Sequence, residues 1–277
     1  MLTYPQIDPI ALSLGPLKIH WYGLMYLLAF GSAYGLALLR ARQSERGWTE
    51  EYVSDLVFYG ALGVILGGRI GYMLFYQFDT LISDPLSLFK VWQGGMSFHG
   101  GFIGVMLAMI LFARKNGKTA FQTLDFIVPC VPTGLLFGRI GNFINDELWG
   151  RPVIDQTYFL AMKFPTGGDV LRHPSQLYEA TFEGLVLFLL LWWFSAKPRP
   201  RMAISALFLL GYGAARFGIE FFRQPDFDQH LWFGWMSKGQ LLTVPMLVIG
   251  AWMLWYAYHR GIYDWGSKKN TPEGKQA

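Results

Sequence analysis

The chain is short of charge and of cysteine. Only 15% of its 277 residues are charged, against about one quarter in an average soluble domain. With 53% hydrophobic residues and a mean hydropathy of +0.29, an ordinary soluble domain is excluded and a polytopic membrane protein is indicated. The single cysteine, Cys130, excludes an internal disulfide. It lies among Ile127, Val128, Pro129 and Val131 and reads as a small buried hydrophobe. The sequence has no HExxH zinc site, no GxSxG elbow and no P-loop. It also lacks the aspartate cluster that would hold magnesium in a CDP-alcohol transferase. The start, MLTYPQIDPIALSLGPLK, has neither a basic n-region nor a continuous apolar h-region, so no cleavable signal peptide is expected. The net charge of +4 is too small to call for a nucleic-acid partner.

What the chain does have is long apolar runs. A bilayer span takes about 20 mostly apolar residues. Candidates fall near 17–38, 54–76, 96–113, 120–144, 177–196, 203–222 and 238–258. The expected fold is therefore an all-α integral membrane protein of seven transmembrane helices. It forms one transmembrane domain over 1–277, with 145–176 as a small polar insert. Bases follow the odd spans: Arg40, Arg42 and Arg46; Arg114, Lys115 and Lys118; Lys197, Arg199 and Arg201; Arg260, Lys268, Lys269 and Lys275. The other connections carry fewer bases, mixed with acids such as Asp79, Asp84, Asp146, Asp155, Asp169, Asp226 and Asp228. The positive-inside rule places the basic loops in the cytoplasm, the N-terminus outside and the C-terminus inside. A short echo, GGRIGY (67–72) and FGRIGN (137–142), fits either a relic repeat or chance in glycine-rich helices.

This orientation gathers the polar residues at one depth, toward the outer leaflet. His20 and Tyr22 lie near the outer end of span one, Arg69 in span two and His99 in span three. Arg139 and Asn142 lie in span four, Glu179 and Glu183 in span five, and Gln240 opens span seven. Tyr212, Arg216 and Glu220 follow an i, i+4, i+8 spacing in span six, on one helix face. An arginine in hydrocarbon costs from about 3 to well over 10 kcal/mol, depending on the scale, so such residues point to function. Interfacial snorkelling accounts for Lys18, Lys90 and Lys238. It fits Arg69, Arg139 and Arg216 poorly, because apolar residues follow each before the boundary. Glu220 can neutralise Arg216 as a structural ion pair; equally, planar guanidinium forks at headgroup depth suit a phospholipid phosphate. His99, followed by Gly100 and Gly101, is either a structural histidine or a proton-transfer group. A transporter for a phosphorylated solute would place polar groups along a path or near the midplane. Here the inner half is apolar, which favours a lateral lipid site.

These residues resemble the prolipoprotein diacylglyceryl transferases over nearly the whole chain. The resemblance is carried by HWYGLMYL (20–27), GGRIGYMLFY (67–76), GGMSFHGG (94–101), GRIGNFINDELWGR (138–151), RHPSQLYE (172–179) and GYGAARFGIEFFRQPD (211–226). One departure is Asp146, where the family's pattern has glycine; another is the 152–171 segment, which looks short for the family. The resemblance implies a bacterial cytoplasmic (inner) membrane enzyme with its site on the periplasmic side and the insert as a periplasmic subdomain. It implies transfer of the diacylglyceryl group of phosphatidylglycerol to the lipobox cysteine of a preprolipoprotein signal peptide, with release of glycerol 1-phosphate. Neither cofactor nor metal is expected, because the donor carries its own leaving group. Arg139 and Arg216 are the expected catalytic cations. His99 either takes the thiol proton or orients the donor. Asn142, Glu147 and Gly150 are expected to shape the mouth of the site, and Tyr22 and Tyr212 to hydrogen-bond the headgroup. Glu220 is expected beside Arg216, Arg223 to guide the headgroup or gate the acceptor, and Arg69 as a supporting charge. His173 and Gln176 are expected to cap span five or, alternatively, to contact substrate, with capping favoured.

Overall fold

The computed structural model describes residues 2–15, 17–155, 157–224, 231 and 233–265. Lys268, Lys269, Lys275, Asp226 and Asp228, used above as topology markers, lie outside the described residues. The chain forms two compact units, residues 37–126 and residues 1–36 with 127–277.

The helices are α1 (Trp21–Ala41), α2 (Glu50–Tyr76), α3 (Phe78–Ser83), α4 (Phe98–Lys115), α5 (Ala120–Ile127), α6 (Val131–Ile144), α7 (Ser175–Glu179), α8 (Leu187–Phe194), α9 (Ala203–Ile219) and α10 (Lys238–Arg260). A 3-10 turn, Val128–Cys130, joins α5 to α6, and a π-helical stretch, Ala180–Val186, joins α7 to α8. The strands are β1 (Leu2–Thr3), β2 (Ile10–Leu14), β3 (Leu17–His20), β4 (Met162–Lys163) and β5 (Leu171–Arg172).

Among the described residues, six helical segments are long and apolar enough to cross a membrane: α1, α2, α4, Ala120–Ile144, Ser175–Phe194 and α10. The expected seventh, α9, has 17 residues. At 1.5 Å per residue it spans about 26 Å, less than a hydrocarbon core of about 30 Å. It stops at Ile219 because the chain turns there, and the Phe222 carbonyl accepts from the Arg151 amide at 2.8 Å. The first span is also corrected. Residues 17–20 belong to the β2–β3 hairpin, so His20 ends a strand and does not open the helix.

Within the 37–126 unit, Thr49 caps α2 by accepting from the Tyr52 amide at 3.2 Å. Glu50 and Glu51 complement the positive helix end. α2 and α4 then meet along glycines. A Cβ on Gly67 would lie 2.8 Å from the Gly104 Cα, and one on Gly71 would lie 2.8 Å from the Gly100 Cα. Small residues at this spacing let membrane helices approach closely. Gly104→Leu is therefore expected to lose the folded protein, and Gly104→Ala to lower its melting temperature in detergent. An unchanged Gly104→Leu melt would dismiss the seam.

Arg69 lies on α2 in this unit. Its guanidinium donates to the carbonyls of Leu88 (3.1 Å), Ser87 (2.6 Å), Gly94 (2.5 Å) and Gly95 (3.3 Å). It stitches the α3–α4 connection to the helix.

In the other unit, the 145–176 segment folds together with the N-terminal strand. β1 pairs parallel with β4, and β4 pairs antiparallel with β5. Tyr4, Met162 and Phe164 form the small core, with Phe143 and Trp149 packed against it. The Tyr4 hydroxyl donates to the Phe143 carbonyl at 2.7 Å, tying this sheet to the end of α6. At the start of α10 a complete capping box joins Ser237 and Gln240, whose side chains accept from each other's amides at 3.1 and 2.9 Å.

Candidate active site

Three helical segments of one unit bring six charged side chains together. α6 supplies Arg139. The α7–π–α8 rod supplies Glu179 and Glu183. α9 and the turn after it supply Arg216, Glu220 and Arg223. The Glu179 carboxylate joins the two arginines: Oε2 is 2.8 Å from Arg139 Nε, and Oε1 accepts from Arg216 Nη1 at 2.8 Å. Glu183 lies behind, 3.5 Å from Arg139 Nη2 and 3.9 Å from Arg216 Nη1. Glu220 meets Arg216 Nη2 at 2.9 Å, the i,i+4 pair expected from the spacing. Arg223 closes the group at 3.8 Å from Glu179 and 3.9 Å from Glu220.

The rod bends the rule of 3.6 residues per turn to achieve this. Its π-helical stretch begins directly after Glu179 and contains Glu183. A π turn inside an α-helix is uncommon and recurs at functional sites. Gly184 in that stretch lets the rod lie against α6, for a Cβ there would stand 2.8 Å from the Leu136 Cβ.

Burial sorts the charges by sign. The Glu179 and Glu183 side chains are fully sealed, whereas those of Arg139 and Arg216 keep 21% and 14% exposure. The carboxylates therefore sit behind the guanidinium groups and orient them. Glu220 is held from a further side: Ser237 Oγ donates to it at 3.0 Å. A Cβ on Gly239 would stand 2.5 Å from its carboxylate, so any larger residue there would push Glu220 out of this position. Tyr212, one turn before Arg216, lies in the electrostatic reach of Glu183, Arg216 and Arg139.

The GRIGNFINDELWGR segment forms one wall. Buried Asn142 donates from Nδ2 to Glu147 Oε1 at 2.8 Å. Tyr22 packs on Gly141, where a Cβ would come within 2.9 Å of its ring, and its hydroxyl is within reach of Asn142. Gly150 has no room for a side chain: a Cβ would meet the carbonyl oxygens of His173 and Phe222 at 2.5 Å each. Asp146 has φ 56, in the left-handed region that favours glycine. Its side chain offsets the strain by accepting from the Thr166 amide at 2.6 Å.

The capping expectation for span five is overturned. Gln176 is fully buried and donates to the Glu147 carbonyl at 2.7 Å, joining the rod to this wall. His173 Nδ1 contacts the Tyr178 hydroxyl at 3.2 Å. Burial pushes the His173 imidazole below its ordinary value, which keeps it neutral near pH 7. Arg172 stacks over Trp149 at 3.8 Å and donates to the carbonyls of Gly167 (2.7 Å) and Gly150 (3.1 Å).

His99 belongs to the 37–126 unit. It sits exposed in the first turn of α4, edge-on to Phe98 at 5.7 Å. Ser97 caps that turn by accepting from the Gly100 amide at 3.2 Å.

The profile described as "Prolipoprotein diacylglyceryl transferase" matches residues 9–256, a stretch that contains the whole charged group. The chain belongs to this family. A phosphatidylglycerol–prolipoprotein diacylglyceryl transferase of Acinetobacter baylyi is 70% identical over 271 residues, covering 97% of this chain and 99% of the relative. One of Acinetobacter baumannii is 68% identical over 273 residues, with 98% and 100% coverage. One of Psychrobacter arcticus is 64% identical over 293 aligned positions, with 97% and 99% coverage. Glu179 and Glu183, placed by the sequence among the polar residues of span five, were not expected among the site residues, yet they lie at the centre of the charged group. Their signal was present: two acids four apart inside an otherwise apolar span.

Proposed function

We propose that the chain transfers the diacylglyceryl group of phosphatidylglycerol to the lipobox cysteine thiol of preprolipoproteins, releasing glycerol 1-phosphate in the first step of bacterial lipoprotein maturation. Family membership supports this, and one structural observation carries it to particular residues. Arg139 and Arg216 are part-exposed, and both are braced by the sealed Glu179. Guanidinium groups held in that way can receive a phosphodiester without reorganising, as electrostatic catalysis requires.

In the reaction the cysteine sulfur attacks the terminal glycerol carbon of the diacylglyceryl unit. The carbon–oxygen bond to phosphate breaks, and the bonding pair stays on the phosphate oxygen. Charge grows on that phosphate as the bond lengthens, and Arg139 and Arg216 stabilise it there. Tyr22 and Tyr212 hydrogen-bond the headgroup, Asn142, Glu147 and Gly150 shape the mouth, and Arg223 guides the headgroup in. Glu220 holds Arg216, while Arg69 acts at a distance by fixing the loop that leads into α4. A thiol with a pKa near 8.5 needs a base or a cationic field to give thiolate at neutral pH. His99 fills the first role or, alternatively, orients the donor while the arginines fill the second.

The chain acts as a single catalytic domain over 1–277 in the bacterial inner membrane. α9 serves as a short seventh crossing, the N-terminus lies outside and the C-terminus lies in the cytoplasm. The 145–176 segment is the periplasmic subdomain. The donor brings its own leaving group, so the chemistry calls for no cofactor, metal or nucleic acid.

The test is a reconstituted assay with phosphatidylglycerol and a lipobox peptide. Glycerol phosphate release is expected with cysteine in the peptide and not with serine. No release from folded protein would sink the reading. In the same assay His99→Gln is expected to lower the rate about 10²–10⁴-fold, the usual contribution of a general base. Its loss should shrink as pH rises and the free thiolate fraction grows. A mutant with full rate and an unchanged pH profile would remove the base role.

A further inference from the structure

The charged group holds three cations, Arg139, Arg216 and Arg223, and three carboxylates, Glu179, Glu183 and Glu220. With all six ionised it is balanced before any lipid arrives. A phosphodiester adds one negative charge to a place where the carboxylates are sealed from water. An uncompensated buried charge is strongly unfavourable, and such sites adjust by changing protonation.

The three carboxylates are not equally held. Glu179 accepts from Arg216 at 2.8 Å and touches Arg139 at 2.8 Å. Glu220 accepts from Ser237 at 3.0 Å and meets Arg216 at 2.9 Å. Glu183 touches guanidinium nitrogens only at 3.5 and 3.9 Å, and neither of its oxygens accepts a hydrogen bond among the described residues. It is also fully buried, so it cannot swing out to water. The elements packed against its π-helical stretch are α6, α7, α8 and α9. They face it with Arg139 from α6, Glu179 from α7 and Tyr212 and Arg216 from α9. α8 offers no titratable group.

We infer that Glu183 takes up one proton from solvent when the donor's phosphodiester settles on Arg139 and Arg216, and so keeps the site charge-balanced. This rests on the transferase reading above. Glu183 is then a positioning residue: it leaves the arginines to the phosphate when neutral and holds them when ionised. No bond to carbon or phosphorus is made or broken in this step, and the proton returns to solvent when glycerol phosphate leaves.

The experiment needs no acceptor peptide. Detergent-solubilised protein in weak buffer is titrated with short-chain phosphatidylglycerol, and a pH indicator counts protons. Wild type is expected to take up one proton per donor bound near neutral pH, and Glu183→Gln none. The dissociation constant for phosphatidylglycerol should rise up to tenfold per pH unit on the alkaline side in wild type, the slope of one linked proton, and stay flat in Glu183→Gln. Wild type that binds donor without proton uptake overturns the inference, as does equal uptake in Glu183→Gln. If Glu183→Gln does not fold, Glu183→Asp serves: its alkaline limb should shift along the pH axis, and an unshifted limb overturns the assignment to this residue. Failure of the transferase reading looks different, with neither donor binding nor transfer in wild type.

Discussion

Arg139→Ala is expected to lower glycerol phosphate release by about 10²–10³-fold or more in the reconstituted assay, the scale seen when one preorganised charge-stabilising donor is removed. The effect is expected in kcat as well as in the KM for phosphatidylglycerol, because negative charge grows on the phosphate during the displacement. Arg139→Lys should recover only part of it. An ammonium restores the charge, but it cannot offer a planar fork to Glu179 and a phosphate together. A Lys variant equal to wild type would mean that charge alone matters there. An Ala variant with full activity would return Arg139 to a structural role and leave the phosphate to Arg216.

The second large effect is expected from Glu179→Ala. This carboxylate lies 2.8 Å from both Arg139 and Arg216 and 3.8 Å from Arg223. Removing one partner of a buried ion pair typically costs about 3–5 kcal/mol, because the other charge is left without compensation. Here two guanidinium groups lose their brace at once. Glu179→Ala should lower the melting temperature in detergent and abolish transfer in whatever protein remains folded. Glu179→Gln preserves shape and one acceptor oxygen, so it should melt closer to wild type while still transferring poorly. If Glu179→Ala melted and reacted like wild type, the carboxylate would not be what orients the forks.

Hydropathy made most of the membrane-crossing helices legible. α2, α4 and α10 stand out as long apolar runs between polar connections, and the structure moves their ends by only a few residues. The pairing of Arg216 with Glu220 is seen only in the structure, whereas their placement on one helix face was equally legible from their spacing. Three things were not. The π-helical stretch is spelled ATFEGLV, which reads as ordinary apolar helix, and the close approach of its Gly184 to α6 is a tertiary contact that the local sequence does not show. The β1–β4–β5 sheet is built from two-residue strands, β1 far in sequence from the other two, which carry no alternation to detect. Arg69 and Arg139 share the string GRIG, yet one donates to loop carbonyls and the other meets carboxylates. Local sequence fixes where such an arginine sits on its helix, and the tertiary neighbours decide what it binds.

Strand β1 also sets an order of events during synthesis. Leu2 pairs with Met162 and Thr3 with Lys163, residues made much later. At about 5–20 residues per second, the first strand waits roughly 8–30 s for its partner to leave the ribosome. Until then Tyr4 lacks Phe164, its partner in the small core. The wall that carries Glu147 and Gly150 is thus among the later parts to be locked, once the oldest piece of the chain has been recaptured by one of the younger ones.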